Sequence, residues 1–351
     1  MRSQAREDGG RRSQPSLPTD VQRWLVGRSS RAADWPVPRL VAAKAGTRVS
    51  VVIPARDEES TVGVIVGAIR RQLVDAVGLV DELVVVDSRS RDATADVAAA
   101  AGATVVAQDA VLADLPPLDG KGEALWKGLA ASTGDVVVFV DADLHDFTTD
   151  FVTGLLGPLL CDPTVAYVKG FYHRPLVASG ATVPDGGGRV SELVARPLLN
   201  LHWPSLSGFI QPLAGEYAGR RGVLEAIPFV TSYGVELGML VDLLETVGLD
   251  ALAQVDLGTR RHRHHDIEAL GRMAGQIMLT AASRLERHDR MVTTAPPSTV
   301  LAQFRRTDHP RAPGVDRDVV LTDLAVQERP PLAELLAAQP AAELPTGPGG
   351  S

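Results

Sequence analysis

Four short runs rich in β-branched residues, Val49–Ile53, Glu82–Asp87, Thr104–Ala107 and Asp135–Val140, constrain this chain more than any other feature of it. Segments patterned as helices separate them: Ser60–Leu73, Ala93–Ala101 and Gly122–Ser132. Strand and helix signals alternate through all four runs, which predicts an α/β domain. The runs are nearly continuous instead of alternating, as expected for strands covered by helices on both faces, so the sheet is read as open and mostly parallel. Such sheets take ligands at the carboxyl ends of their strands, where Pro54–Glu58, Asp87–Asp92 and Asp141–Asp143 fall. Three polar clusters are thus predicted to converge on one rim. The dinucleotide glycine fingerprint and the Walker-type loop are both absent, and Gly120-Lys121-Gly122 is too short to be either, which removes NAD enzymes and P-loop ATPases.

The rest of the chain is less regular. Val165–Tyr172 reads as a strand, Arg189–Leu199 as a helix, Gly234–Val247 as a strongly apolar helix, Ala251–Leu257 as a strand and Asp266–Glu286 as a closing helix with Asp266 at its cap. A core over 47–290 is expected, its two halves dividing near 175, between mobile tails at 1–46 and 291–351. With 351 residues, 45% of them hydrophobic, the chain can bury a large core. Its 43 acidic against 35 basic residues give a net charge of −8, which argues against nucleic acid or an anionic membrane surface as partner. A local basic pocket for a small phosphorylated ligand is compatible with that charge. A lone cysteine, Cys161, excludes an intrachain disulfide and a multi-thiolate zinc site. No apolar stretch approaches the roughly 20 residues of a membrane helix, and a cytoplasmic, soluble protein is expected.

Several clusters could carry chemistry, each with a plainer reading beside it. Asp141-Ala142-Asp143 ends a strand, where two carboxylates can offer oxygen ligands to Mg²⁺ or Mn²⁺ or can merely face water. Gly258 to His265 gathers three histidines and three arginines, able to complete a metal shell and to bind phosphate, or to form a solvated basic loop. Gly186 to Glu192 is a glycine run entering a helix, which makes either a small-anion site or an ordinary helix start. Lys121 is a diphosphate contact or a surface lysine. Glu236, in an apolar helix, either bonds sugar hydroxyls or satisfies a nearby arginine.

Taken in order, the segments VSVVIPARDEES, VVVDSRSRDAT, DGKGEALWKGLAASTGDVVVFVDADL, VKGFYHRPL, GGGRVSELVARPLL, QPLAGEYAGRR, PFVTSYGVELGMLVD and QVDLGTRRHRH resemble the actinobacterial glucosyl-3-phosphoglycerate synthases over roughly 49–285. These are retaining, metal-dependent glycosyltransferases with a single-domain A-type (GT-A) fold. The resemblance implies a nucleotide-sugar-binding half over 47–175 and an acceptor-binding half over 176–290, working as a homodimer. It implies transfer of glucose from UDP-glucose to the 2-hydroxyl of 3-phospho-D-glycerate with retention, feeding methylglucose lipopolysaccharide synthesis. Uridine and ribose contacts fall on Pro54, Ala55, Asp57, Glu58 and Ser88, with Lys121, Asp141, Ala142, Arg260 and Arg263 also on the donor. Tyr233, Gly234, Val235 and Glu236 would line the glucose site. Gly188, Arg189, Val190, Ser191 and His264 would hold the acceptor. Asp143 and His262 would hold the cation, Mg²⁺ or Mn²⁺, which together with Glu236 makes them the implied catalytic residues.

Four positions depart from the family pattern: Arg56, Ala142, Ser191 and His264 stand where a small polar residue, serine, threonine and asparagine are usual. No carboxylate announces itself as a covalent nucleophile, so same-face attack is favoured, a donor phosphate oxygen taking the acceptor's proton; Glu236 as nucleophile is the alternative. Competing readings are a GDP-mannose-dependent mannosyl-3-phosphoglycerate synthase, a polyprenyl-phosphate glycosyltransferase, and a silent nucleotide-sugar binding module. His264 carries a prediction of its own. If it binds the acceptor, the acceptor KM changes between about pH 6 and 8, where imidazole titrates, and a flat profile would remove it from that site.

Overall fold

The computed structural model of the chain describes residues 15–174, 176–178, 181–183, 188–260, 266–306 and 317–338. It opens with α1 (Thr19–Arg28), β1 (Ser29–Arg31) and α2 (Val37–Lys44). The repeating unit follows as β2 (Val49–Ala55), α3 (Val62–Ile69), β3 (Glu82–Asp87), α4 (Thr94–Ala100), β4 (Thr104–Ala107), α5 (Lys121–Ala131) and β5 (Val136–Phe139). Next come α6 (Asp150–Cys161), β6 (Tyr167–His173), a small hairpin of β7 (Leu176–Ala178) and β8 (Ala181–Val183), and α7 (Arg196–His202). Then β9 (Tyr217–Arg220), α8 (Arg221–Glu225), β10 (Phe229–Val230), α9 (Val235–Val247) and β11 (Leu252–Thr259) lead to α10 (Ile267–Arg287). A hairpin of β12 (Val300–Arg306) and β13 (Arg317–Asp323), then β14 (Glu328–Arg329) and α11 (Leu332–Ala338), complete the described chain.

The main sheet of the described residues has eight strands in the order β1-β11-β6-β9-β5-β2-β3-β4. Neighbours run parallel except at β9, which is antiparallel to both β5 and β6. The β-branched runs explain why the sheet is covered twice. Val51, Ile53, Val85, Val136 and Val138 face one apolar cluster, with α3 and α6, while Val52, Val84, Val86, Val137 and Phe139 face a second, with α5 and α9. Successive side chains point to opposite faces, so an unbroken apolar run supplies two cores at once.

Parts of both expected tails are folded, while residues 1–14, 307–316 and 339–351 lie outside the described residues. In the first, Trp24 is buried, donates its indole N–H to the Leu252 carbonyl at 2.7 Å and packs on Phe209 at 4.7 Å between ring centroids. β1 then adds an edge strand to β11, with Ser29 opposite Gln254. In the second, β14 pairs antiparallel with β10, and Arg329 forms a buried two-pronged pair with Glu123 at 2.7 Å to each carboxylate oxygen. These segments look loose because their apolar residues follow no sustained period among Arg, Ser, Gly, Pro and Ala, and a few long-range contacts order them. The two expected halves on either side of 175 share one sheet, since β9 and β11 join β2 to β6 in it. The predicted cap of the closing helix is present: the Asp266 carboxylate accepts from the Ala269 N–H at 2.7 Å.

If α1 belongs to the core, Trp24→Ala should lower the stability to urea by about 3–5 kcal/mol, the usual cost of emptying a tryptophan site. A loss under about 1 kcal/mol would return the segment to the status of a tail.

Candidate active site

The carboxyl ends of β2, β3 and β5 meet on one rim and, with the starts of α5 and α9, enclose a cleft of about 610 Å³. Pro54, Ala55 and Glu58 line it from the end of β2, Ser88 from β3, and Asp141, Ala142 and Asp143 from the residues after β5. Lys121, Tyr233, Glu236 and Arg260 close one side. On the other, Gly188, Arg189, Val190 and Ser191 form the first helical turn leading to α7, with the Glu192 N–H bonded to the Gly188 carbonyl at 3.1 Å.

A chain of ion pairs crosses the floor. Lys121 lies 3.1 Å from Glu236 and 2.6 Å from Asp141. Arg260 Nη2 then joins Asp141 at 3.1 Å to Asp143 at 2.7 Å. Behind it Arg260 Nη1 meets Glu216 at 2.9 Å, with the arginine side chain only 5% exposed and the glutamate fully buried. The Tyr172 hydroxyl donates to Glu216 at 2.8 Å while accepting from Arg260 at 2.7 Å and Arg174 at 2.6 Å. Desolvation opposes the charge on Asp141, but Lys121 and Arg260 outweigh it and hold its carboxyl well below the usual range. Desolvation likewise opposes charge on Lys121, and Asp141 and Glu236 reverse this, keeping the ammonium protonated. Burial pushes Glu216 up and Tyr172 up to about 12.

Local backbone explains how these groups meet. Gly120 sits at φ 113°, and a Cβ there would lie 2.1 Å from the Thr231 carbonyl oxygen; at Gly122 it would lie 1.8 Å from that of Val230. The Gly-Lys-Gly turn is therefore the one form in which α5 can begin directly against the segment entering α9, with the Gly122 N–H donating to Thr231 at 3.0 Å. Lys121 is carried between the two carboxylates as a result. Gly215 does the same for the floor, since a Cβ there would lie 2.2 Å from Asp141 Oδ2.

Not every expected residue reaches the cleft. Asp57 does not line it: at φ 56° its carboxylate accepts the Arg91 N–H at 2.7 Å and its N–H donates to Ser90 at 3.0 Å, tying the loops after β2 and β3 together. Gly234 is packed beneath Thr280, whose hydroxyl would be 1.9 Å from a Cβ, and Val235 turns into the core. The partner of Glu236 is a lysine, where an arginine was one of two expectations. His262, Arg263 and His264 lie outside the described residues, and so does the expected meeting of His262 with Asp143. Among the described residues no group of three or more His, Cys, Asp or Glu could hold a metal ion. Asp143, its side chain 34% exposed on the cleft wall, is the hard oxygen donor that fits one. Glu216, Tyr172 and Arg174 were given no role by sequence reasoning, although a glutamate between Gly215 and Tyr217 in a strand-like run was a signal, because a buried charge requires partners.

Lys169 on β6 supplies a test of this environment. It is buried, donates to the Ala214 carbonyl at 2.9 Å and stands 4.7 Å above the Tyr217 ring. Burial pushes its ammonium down to about 7 from an ordinary 10.5. Between these values the unfolded chain binds more protons than the folded one, so stability rises with pH across that window. Lys169→Met should flatten the rise in urea midpoint between about pH 7 and 9, and an unchanged slope would contradict the buried setting.

Three comparisons bear on this cleft. A family model described as glycosyl transferase family 2 matches residues 50–181. The glucosyl-3-phosphoglycerate synthase of Mycolicibacterium smegmatis is 48% identical over 313 residues, covering 89% of this chain and 98% of that protein. Among solved structures, the mannosyl-3-phosphoglycerate synthase of Rubrobacter xylanophilus superposes with a TM-score of 0.82 at 37% identity, covering 91% of this chain and 99% of that one. The Mycobacterium tuberculosis glucosyl-3-phosphoglycerate synthase, in complex with Mn²⁺, UDP-glucose and phosphoglyceric acid, gives 0.74 at 42% identity, covering 86% and 95%. The same enzyme has been solved with Mg²⁺ and UDP.

Proposed function

Because the chain belongs to the glucosyl-3-phosphoglycerate synthase family, we propose that it is a metal-dependent glucosyltransferase moving glucose from UDP-glucose to the 2-hydroxyl of 3-phospho-D-glycerate with retention at the anomeric carbon. The observation that carries this reading is the ion-paired floor from Glu236 through Lys121, Asp141 and Arg260 to Asp143, lying in one cleft between Ser88 and the turn at Gly188–Ser191. A nucleotide fits at the rim of β2 and β3, a sugar over the floor, and a small anion at the helix start.

The residues divide the work. Glu236 and Asp141 accept from sugar hydroxyls, and Lys121 fixes both so that neither pays for reorganisation as the reaction proceeds. Arg260 and Arg189 hold anionic oxygens of donor and acceptor. Asp143, with His262, would hold the Mg²⁺ or Mn²⁺; when bound, the ion supplies Lewis-acid stabilisation of the departing diphosphate. Glu236 is already engaged with Lys121 at 3.1 Å, which weakens it as a nucleophile and favours attack from the face the diphosphate leaves, with a donor phosphate oxygen taking the acceptor's proton.

A second reading keeps the acceptor and changes the donor to GDP-mannose, supported by the superposition on the Rubrobacter xylanophilus mannosyl enzyme. Cytoplasmic placement and pairing with a second copy are part of the proposal; no helix among the described residues is long and apolar enough to cross a membrane. Nucleoside-diphosphate release measured with UDP-glucose, GDP-glucose and GDP-mannose, each with and without 3-phosphoglycerate and chelator, tests the whole reading. UDP-glucose should give the fastest acceptor-dependent release, abolished by chelator. Release that does not rise with acceptor would point to a binding module. Asp143→Ala should lose metal-dependent turnover by at least about 100-fold, and near-normal activity would remove Asp143 from the metal site.

A further inference from the structure

Ser88 follows β3 and Gln108 follows β4, and the parallel register that pairs Asp87 with Ala107 sets the two side by side at the rim. Ser88 lines the cleft, whereas Gln108 is buried behind it at 1% exposure. The Ser88 hydroxyl donates to Gln108 Oε1 at 2.7 Å, and Gln108 Nε2 donates to the Leu118 carbonyl at 3.0 Å. The direction of both bonds is forced. The Leu118 oxygen can only accept, so the amide nitrogen must face it and the amide oxygen must face Ser88. That oxygen also only accepts, so the serine proton points into the protein. The Ser88 backbone N–H is engaged with the Ala55 carbonyl at 2.8 Å. What the Ser88 side chain offers the cleft is lone pairs.

The segment carrying Leu118 is held independently of Gln108. Arg89 grips Asp109 with two bonds, at 2.8 and 3.0 Å, and also pairs with Asp119. Lys127 donates to the carbonyls of Val111 and Leu112. The carbonyl that orients the amide is thereby kept in place.

We propose that Gln108 is a positioning residue for the donor base: by accepting the hydrogen bond of the Ser88 hydroxyl it makes that oxygen an obligate acceptor toward the cleft, selective for a pyrimidine that presents an N–H at ring position 3. This rests on the UDP-glucose reading above, in which the base is uracil. Uracil carries a hydrogen on N3, whereas cytosine carries a lone pair there, so cytosine would set acceptor against acceptor. A site built around one hydrogen bond rejects the analogue that cannot make it, because a desolvated polar group is left without a partner.

Gln108→Met preserves side-chain length and apolar fill but removes the acceptor, freeing the hydroxyl to accept from the uracil N3–H or to turn and donate to the cytosine N3. Binding of UDP and of CDP to the full chain, in the presence of Mg²⁺, measures the effect as the ratio of the two Kd values. The parent should prefer UDP, and Gln108→Met should lower that preference about tenfold. Ser88→Ala should lower it by the simpler route of deleting the acceptor, and adding Gln108→Met to Ser88→Ala should then change nothing further, because the glutamine acts only through that hydroxyl. Damage to the fold or to the diphosphate contacts would weaken both nucleotides alike and leave the ratio where it was. A Gln108→Met or Ser88→Ala variant that keeps the parent's preference within about twofold overturns the inference alone. A parent that binds UDP no better than CDP, or binds neither, overturns the donor reading along with it.

Discussion

Asp141 stands between two cations, Lys121 at 2.6 Å and Arg260 at 3.1 Å, and the geometry of the whole cleft depends on that clamp. Each cation arrives from a different part of the chain: Lys121 opens α5, and Arg260 follows β11. Each is also shared, Lys121 with Glu236 and Arg260 with Asp143 and Glu216. Removing one member of such a poorly solvated network leaves its partner's charge uncompensated, which typically costs about 3–5 kcal/mol. The arrangement is consequently cooperative, and the carboxylates on the cleft floor are held at fixed positions by their cations. Preorganisation of this kind is what allows a site to favour a transition state without paying to rearrange.

The clamp rests in turn on backbones that approach one another closely. α5 starts against the 230–231 segment only because Gly120 and Gly122 present no side chain to it, and Gly215 leaves room beneath Asp141. β9 enters antiparallel between β5 and β6, and this insertion delivers Gly215 and Glu216 behind the Asp141-Ala142-Asp143 turn. The single reversed strand thus brings residues from the later part of the chain to the same floor as Asp141 and Asp143.

Both ends of the described chain reinforce this frame from outside. Trp24 and β1 lock the β11 edge, from whose other end Arg260 projects. β14 pairs with β10, while Arg329 binds Glu123 in the first turn of α5 and Arg284 binds Asp242 in α9. The helices that carry Lys121 and Glu236 are therefore cross-braced by residues more than two hundred positions apart in one case. The position of Lys121 is thus set partly by contacts that lie well away from the cleft.

The sequence alone determined the repeating strand-helix unit, the mostly parallel sheet and the rim where its ligand groups gather, because each follows from local pattern: two-sided strands must be uniformly apolar, and polar clusters at their carboxyl ends have nowhere else to point. It also singled out Lys121, Asp141, Asp143 and Glu236, since a charge at a strand end or in an apolar helix is conspicuous without coordinates. Only the tertiary structure decided that Glu236 is paired with Lys121, that Asp57 ties two loops together instead of facing the cleft, that Glu216 and Tyr172 anchor Arg260, and that Gln108 turns the Ser88 proton inward. It likewise decided that residues 19–44 and 317–338 belong to the fold. Those outcomes depend on which distant segments touch, and a contact between residues far apart in the chain leaves no periodicity by which either one could announce the other.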